Sequence, residues 1–227
     1  MRTAAFPPLK WPTHPSALLL MAQLVSLLLY AAFDGNPSGR AVLVIFGVLV
    51  LALVVWVVDR SPALDWVAWV LVVPAILISL LSIFFGNPLL LVGDSLLLSV
   101  IYFYGAGSMV AYMMKDLRAT TDELFAAGAT YTLLAWGFAH AYMVCQLLFP
   151  NSFTGLINPE QPRTFVELLS LSFTNLTSTG LGDVMPITPF ARVLVMLEQS
   201  AGIGYVAVVV SRLIGMTLIK QQDQENS

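Results

Sequence analysis

An apolar stretch near residues 164–177 is too short to cross a membrane and runs directly into Thr177-Ser178-Thr179-Gly180-Leu181-Gly182-Asp183. Thr164-Phe165-Val166-Glu167 has the pattern of a capping box, so the spacing predicts a helix that starts here and ends near Thr177. About fourteen residues at ~1.5 Å each give ~21 Å, roughly two-thirds of a ~30 Å hydrocarbon core. Irregular backbone at membrane depth is tolerated only when buried in protein or lining a water-filled path. A half-length helix followed by Gly-x-Gly therefore predicts a re-entrant loop. The two glycines permit left-handed backbone and can turn consecutive carbonyl oxygens toward one side. A ring of four such loops would replace the water shell of a dehydrated cation. The negative end of the short helix would point into the same cavity and favour a cation there.

The surroundings make a membrane setting the expected one. The chain is 58% hydrophobic and 10% charged, against about 25% charged residues in soluble domains. The expected fold is an all-α membrane protein with six transmembrane helices plus the re-entrant pore helix and its loop. The predicted spans are 16–33, 41–58, 62–85, 88–114, 121–149 and 189–219. Ser61 and Pro62 read as N-cap and first residue of the third span, and Asn87 as the cap of the fourth. Thr120 and Glu123 form a second capping-box pattern before the fifth. Arg2 and Lys10 precede the first span as in a signal peptide, but no small-residue cleavage site follows, so it is expected to be retained.

With the N-terminus inside, the inner segments carry Arg2, Lys10, Arg60, Lys115, Arg118, Arg212 and Lys220; the outer ones carry Arg40, Arg163 and Arg192. This asymmetry predicts cytoplasmic termini and a loop that faces the outer side. A net charge of −3 argues against nucleic acid as a partner. Cys145, the one cysteine, lies in an apolar run and reads as a packed core thiol. No metal-ligand cluster, phosphate loop or nucleophile–base pattern is apparent, so an enzyme is not expected.

The flanks of the loop carry a resemblance. Leu168-Leu169-Ser170-Leu171-Ser172-Phe173-Thr174-Asn175-Leu176 precedes it, and Val184-Met185-Pro186-Ile187-Thr188-Pro189-Phe190-Ala191-Arg192 follows. This resembles the pore loop of the potassium-channel superfamily, whose usual filter is Thr-Val-Gly-Tyr-Gly-Asp with a proline soon after. The resemblance is close from about Thr120 to the end of the last helix and only architectural before that. Thr179 stands where the family usually has Val, Leu181 where it usually has Tyr, and Ser178 where it usually has Thr.

The resemblance implies that Ser178, Thr179, Gly180, Leu181 and Gly182 hold K+ ions through backbone carbonyls, with help from the Ser178 hydroxyl. It implies that Thr177 and Asp183 anchor the filter, that no organic cofactor is needed, and that the channel is of a bacterial type in the inner membrane. One chain supplies one filter strand, so closed symmetry predicts a homotetramer surrounded by membrane lipids. The implied organisation is a cytoplasmic segment 1–15, a four-helix voltage-sensor-like domain 16–119, a pore domain 120–219 and a short cytoplasmic tail 220–227. The tail is too short for a nucleotide- or calcium-binding domain. Residues 89–114 contain no Lys or Arg, so the fourth helix lacks the charge of a voltage sensor. Alternatives to a potassium-selective channel are a weakly selective cation channel and a non-conducting scaffold or accessory subunit with the pore fold.

Several single residues remain open between two roles. Glu198, in the middle of the sixth span, is either a buried protonated group hydrogen-bonded behind the pore helix or a pH-sensitive gating group. Glu167 reads as a capping residue. Asp94 reads as a charge stabilised by a helix N-terminus, and His140 as an interhelical hydrogen-bonder. Asn175 falls in a glycosylation pattern that has no meaning at membrane depth. Gly202 reads equally as a hinge and as a site of close helix packing, with Gly204 supporting packing. Ile203, Val206, Val210 and Ile214 share one helical face and are expected to line the conduction path, with Val210 or Ile214 closing it.

Overall fold

The computed structural model describes residues 15–33, 40–58, 65–85, 87–115, 121–180, 182–212 and 214–215. The chain runs through α1 (Pro15–Phe33), α2 (Arg40–Val58), α3 (Asp65–Phe85), α4 (Pro88–Lys115) and α5 (Thr121–Leu148). A strand β1 (Phe153–Gly155), the short helix α6 (Phe165–Leu176), a strand β2 (Val184–Pro186) and α7 (Pro189–Tyr205) follow. A π-helical turn, Val206–Val210, continues α7.

Among the described residues three helices are long and apolar enough to cross a membrane: Pro15–Phe33, Pro88–Met114 and Pro189–Val210. Helices α2, α3 and α5 occupy the remaining predicted spans with 19, 21 and 28 residues. The expected cap at Asn87 forms, its Oδ1 accepting the Leu89 N–H at 2.9 Å. Ser61, Pro62 and Thr120, the segment 1–14, the tail and Leu181 lie outside the described residues.

Helix α5 is the axis of the protomer, and its composition follows from that position. It packs against α1, α4, α6 and α7, and Ala126, Ala129, Leu133, Ala135, Trp136, Ala139 and Tyr142 are all buried. Close approach from several sides favours small residues over long aliphatic ones. At Gly137 a Cβ would come within 3.0 Å of the Phe103 ring of α4. Buried hydroxyls complete the contacts: Ser99 donates to the Gly137 carbonyl at 2.9 Å, and Thr132 donates to Gln23 Oε1 of α1 at 2.6 Å. At the other end Ser16 of α1 donates to Asp122 at 3.0 Å. The first four helices thus touch α5 through both α1 and α4.

β1 and β2 pair antiparallel, with Phe153 opposite Pro186 and Gly155 opposite Val184. This two-stranded strap joins the segments that enter and leave the loop. Cys145 is buried and unpaired beside Ser152, its Sγ 3.7 Å from the hydroxyl, as a core thiol should be.

Candidate functional site

Construction of the site starts at the N-terminus of α6. The capping box forms: Thr164 Oγ1 accepts the Glu167 N–H at 3.3 Å, and Glu167 Oε2 accepts the Thr164 N–H at 2.6 Å. Beside it the side chain of Arg163, only 4% exposed, donates to the carbonyls of Ile157, Asn158 and Gln161. It also meets Glu167 at 3.3 Å. Gln146 grips the same residue twice, accepting the Arg163 N–H at 2.7 Å and donating to its carbonyl at 3.0 Å. Arg163, the residue before the N-cap, is thereby held to α5 through both its N–H and its carbonyl. The helix has twelve residues and stops at Leu176, about 18 Å long and close to the expected end.

The loop beyond it folds back onto the helix it leaves. The Ser178 N–H donates to the Asn175 carbonyl at 2.8 Å. The Thr179 and Gly180 N–H groups both donate to the Thr174 carbonyl, at 3.0 and 3.2 Å. Among the described residues no peptide bond is cis. In a planar trans peptide the C=O points opposite to the N–H. The carbonyl oxygens of Thr177, Ser178 and Thr179 therefore face away from the end of α6, as a group. The Thr177 and Thr179 hydroxyls also donate to the Thr174 carbonyl, at 3.0 and 3.1 Å, pinning the loop by its side chains.

Gly180 has a φ of 62° and meets no other atom where a Cβ would stand, so its identity is set by the left-handed backbone. Ser178 takes the same conformation, φ 56°, despite its Cβ, which the sequence gives no sign of. Gly182 is not in this conformation. Asp183 is tied through its backbone: its carbonyl accepts the Leu156 N–H beside the strap at 3.2 Å.

Behind α6 lies a polar network that the sequence announces only through Glu198. This carboxyl is fully buried and hydrogen-bonds to the hydroxyls of Tyr142 on α5 and Ser172 on α6. Ser172 Oγ also contacts the Ala135 carbonyl at 2.8 Å. Asn175, 4% exposed, directs its amide to the Tyr142 oxygen at 3.5 Å. Ser172 has one hydroxyl hydrogen and two acceptors in reach, so a proton on Glu198 Oε1 completes the set. Glu198 is thus hydrogen-bonded behind the short helix, where it links α5, α6 and α7.

Below the loop a 500 Å³ cleft is lined by Tyr131, Leu176, Thr177, Ser178, Gly202 and Ile203, among others. A Cβ on Gly202 would collide with the Leu176 carbonyl and stand 2.8 Å from its carbon and 3.1 Å from its Cα. Close backbone approach accounts for this glycine. Gly204 offers no such support, since a Cβ there meets nothing within 4 Å. Ile203, Val206, Val210 and Ile214 are exposed in the protomer, while Val209 is 3% exposed. The helix is not regular across them: Val206–Val210 form the π-turn, and Tyr205 just before it donates to the Ala127 carbonyl of α5 at 2.6 Å. The run Val-Ala-Val-Val-Val, crowded with β-branched residues, is the one local hint of it.

Two expectations outside this region change. Asp94 is engaged by the Ser79 hydroxyl of α3, a partner in a neighbouring helix. His140 makes no interhelical hydrogen bond through Nδ1; its ring stacks on Tyr102 at 5.6 Å and lies 4.6 Å from Phe165.

A family model described as an ion channel matches residues 99–218, more than half of the 227-residue chain. The chain belongs to this ion channel family. No curated protein and no solved structure gave a significant match. The matched segment of the channel begins in α4 and takes in α5, the strap, α6, the loop and α7. Its three long apolar helices make the channel an integral membrane protein. The family agrees with the sequence resemblance at the level of an ion channel, and every element of the site built above lies inside the match.

Proposed function

We propose that this ion channel conducts potassium selectively and passively through a pore assembled from four identical chains. The observation that carries the reading is the loop after α6. Its N–H groups at Ser178, Thr179 and Gly180 are held by the helix end, so the adjoining carbonyls face away together. In a fourfold ring these oxygens, with those of Gly180, Leu181 and Gly182, replace the hydration shell of K+ ions. The Thr177 carbonyl joins them, in addition to its hydroxyl holding the loop. Asp183 fixes the outer end, and Ile203, Val206, Val210 and Ile214 line the path below. Six crossings with cytoplasmic termini, an inner-membrane location and contact with lipids complete the proposal. Residues 16–119 form the peripheral domain and 120–219 the pore.

Reversal potentials of the reconstituted protein, with potassium on one side and sodium on the other, test this. Each tenfold preference for potassium moves the reversal potential by about 59 mV. A displacement beyond that value toward the potassium side is expected. A reversal near zero would make it a weakly selective cation channel, and absence of flux would leave a scaffold with the pore fold.

Voltage should have little hold on the gate. Moving one elementary charge through the field is worth about 2.3 kcal/mol per 100 mV. Helix α4 has no Lys or Arg before Lys115 at its last position, so the field finds no row of charges to move. Open probability in symmetric potassium is expected to stay nearly constant from strongly negative to positive potentials. A steep conductance–voltage curve from single-channel records would contradict this.

A further inference from the structure

We propose that the hydroxyl of Thr179 is a positioning group for ion selectivity: joined to the Thr177 hydroxyl, it holds Ser178 between them in its left-handed conformation. This role rests on the reading of the loop as the ion filter and is separate from that of the Thr179 carbonyl. The end of α6 closes as a Schellman motif. The Thr179 N–H reaches the Thr174 carbonyl at 3.0 Å and the Ser178 N–H reaches the Asn175 carbonyl at 2.8 Å, the two bonds that define the motif. The residue at its centre is left-handed and is usually glycine. Here it is Ser178, with a φ of 56°. A Cβ makes this conformation costly, and such a residue persists where its surroundings over-determine it.

The two neighbours of Ser178 supply that constraint. Thr177 Oγ1 and Thr179 Oγ1 stand 2.9 Å apart, one on either side of it in the chain. Four donors surround the Thr174 carbonyl: the Thr179 and Gly180 N–H groups at 3.0 and 3.2 Å, and the Thr177 and Thr179 hydroxyls at 3.0 and 3.1 Å. A carbonyl oxygen has two lone pairs, so these donors compete for it. Each hydroxyl has a second acceptor. Thr177 also reaches the Phe173 carbonyl at 3.1 Å, and Thr179 reaches Thr177 Oγ1. With those taken, both N–H groups keep the Thr174 carbonyl, and the chain from Thr179 through Thr177 to Phe173 closes a polar bracket around Ser178. The bracket bears directly on the ions. Releasing Ser178 to negative φ would rotate the peptides on its two sides relative to each other. The Thr177 and Ser178 carbonyls would then no longer face away from α6 together.

The test uses the full-length channel reconstituted in planar bilayers, with potassium chloride on one side and sodium chloride on the other. Thr179→Val keeps the branched shape and removes the hydroxyl. Its potassium-to-sodium permeability ratio is expected to fall at least tenfold, which moves the reversal potential about 59 mV toward zero. Thr179→Ser, which carries the hydroxyl, should restore the preference that valine loses. The deciding variant adds Ser178→Gly to Thr179→Val. Glycine takes the left-handed conformation without a bracket, so most of the lost shift should return. A merely structural role for Thr179 would lower the number of channels and leave the ratio of those that form unchanged. An unchanged ratio in Thr179→Val, from a parent that discriminates, overturns the proposal, and so does a loss that Ser178→Gly leaves unrepaired. Should Thr179→Val give no channels, the double variant decides: channels that prefer potassium support the bracket, and none or unselective ones overturn it. A parent that does not discriminate between the two ions overturns both this role and the reading of the loop as a potassium filter.

Discussion

Gly202→Ala is expected to abolish ion flux and to lower the unfolding temperature of the channel. The added methyl would fall on the carbonyl of Leu176, with that residue's C and Cα at 2.8 and 3.1 Å. Its obstacle is backbone, not a side chain that can swing aside. Either α7 moves away from α6 or the end of α6 is pushed, and Leu176 is the residue directly before the loop. Overpacking of this kind costs about 1–3 kcal/mol, and the strain falls where the carbonyl geometry is set. Flux into potassium-loaded liposomes and thermal unfolding in the same lipid check it. A variant with unchanged unfolding temperature but altered open probability would show that Gly202 serves as a hinge. Unchanged flux and unchanged stability would refute close packing altogether.

Glu198→Ala is the second large effect expected, at about 3 kcal/mol of stability. Removing the side chain leaves a cavity and strips the Tyr142 and Ser172 hydroxyls of a shared partner, losses that separately cost about 2–5 and 1–3 kcal/mol in soluble hosts. The estimate sits low in the combined range because hydrogen bonds between membrane helices average only about 0.6 kcal/mol. The informative companion is Glu198→Gln. A protonated carboxyl has one donor and one acceptor side, which an amide reproduces; a carboxylate has acceptors alone. With a proton on Oε1, which lets Ser172 keep its contact with the Ala135 carbonyl, the Gln variant should unfold within a few degrees of the parent and conduct. If Gln proves as damaging as Ala, the carboxyl is ionised and the proton count given above is wrong.

What could be read from the sequence was decided by contacts a few residues apart. The Thr164–Glu167 capping box, the cap at Asn87 and the left-handed Gly180 are of this kind, because each needs only its own neighbours to form. The short helix ends at Leu176 with Thr177 as its C-cap, close to the expected end, for the same reason, a matter of where its last turn closes. Features that depend on distant segments were out of reach. Glu198 stood out as an intramembrane carboxyl, yet nothing near it in sequence points to Tyr142, 56 residues away, or to Ser172. His140 was expected to hydrogen-bond and instead has an unpaired Nδ1 among aromatic rings. Gly202 and Gly204 look alike as a pair, and only the position of Leu176 separates them. Ser178 shows the limit most plainly, since its backbone conformation is dictated by the helix end holding its neighbours' N–H groups.

The π-turn at Val206–Val210 has a consequence for register. Such a turn takes up one residue more than an α-helical turn, and one residue of α-helix corresponds to a rotation of about 100°. Returning this turn to α geometry would therefore spin everything beyond it about the helix axis, without bending the axis. Ser211, Arg212 and Ile214 would then present a different side to whatever faces them. In a fourfold assembly that single backbone rearrangement, repeated in each chain, would exchange one set of side chains at the inner exit for another.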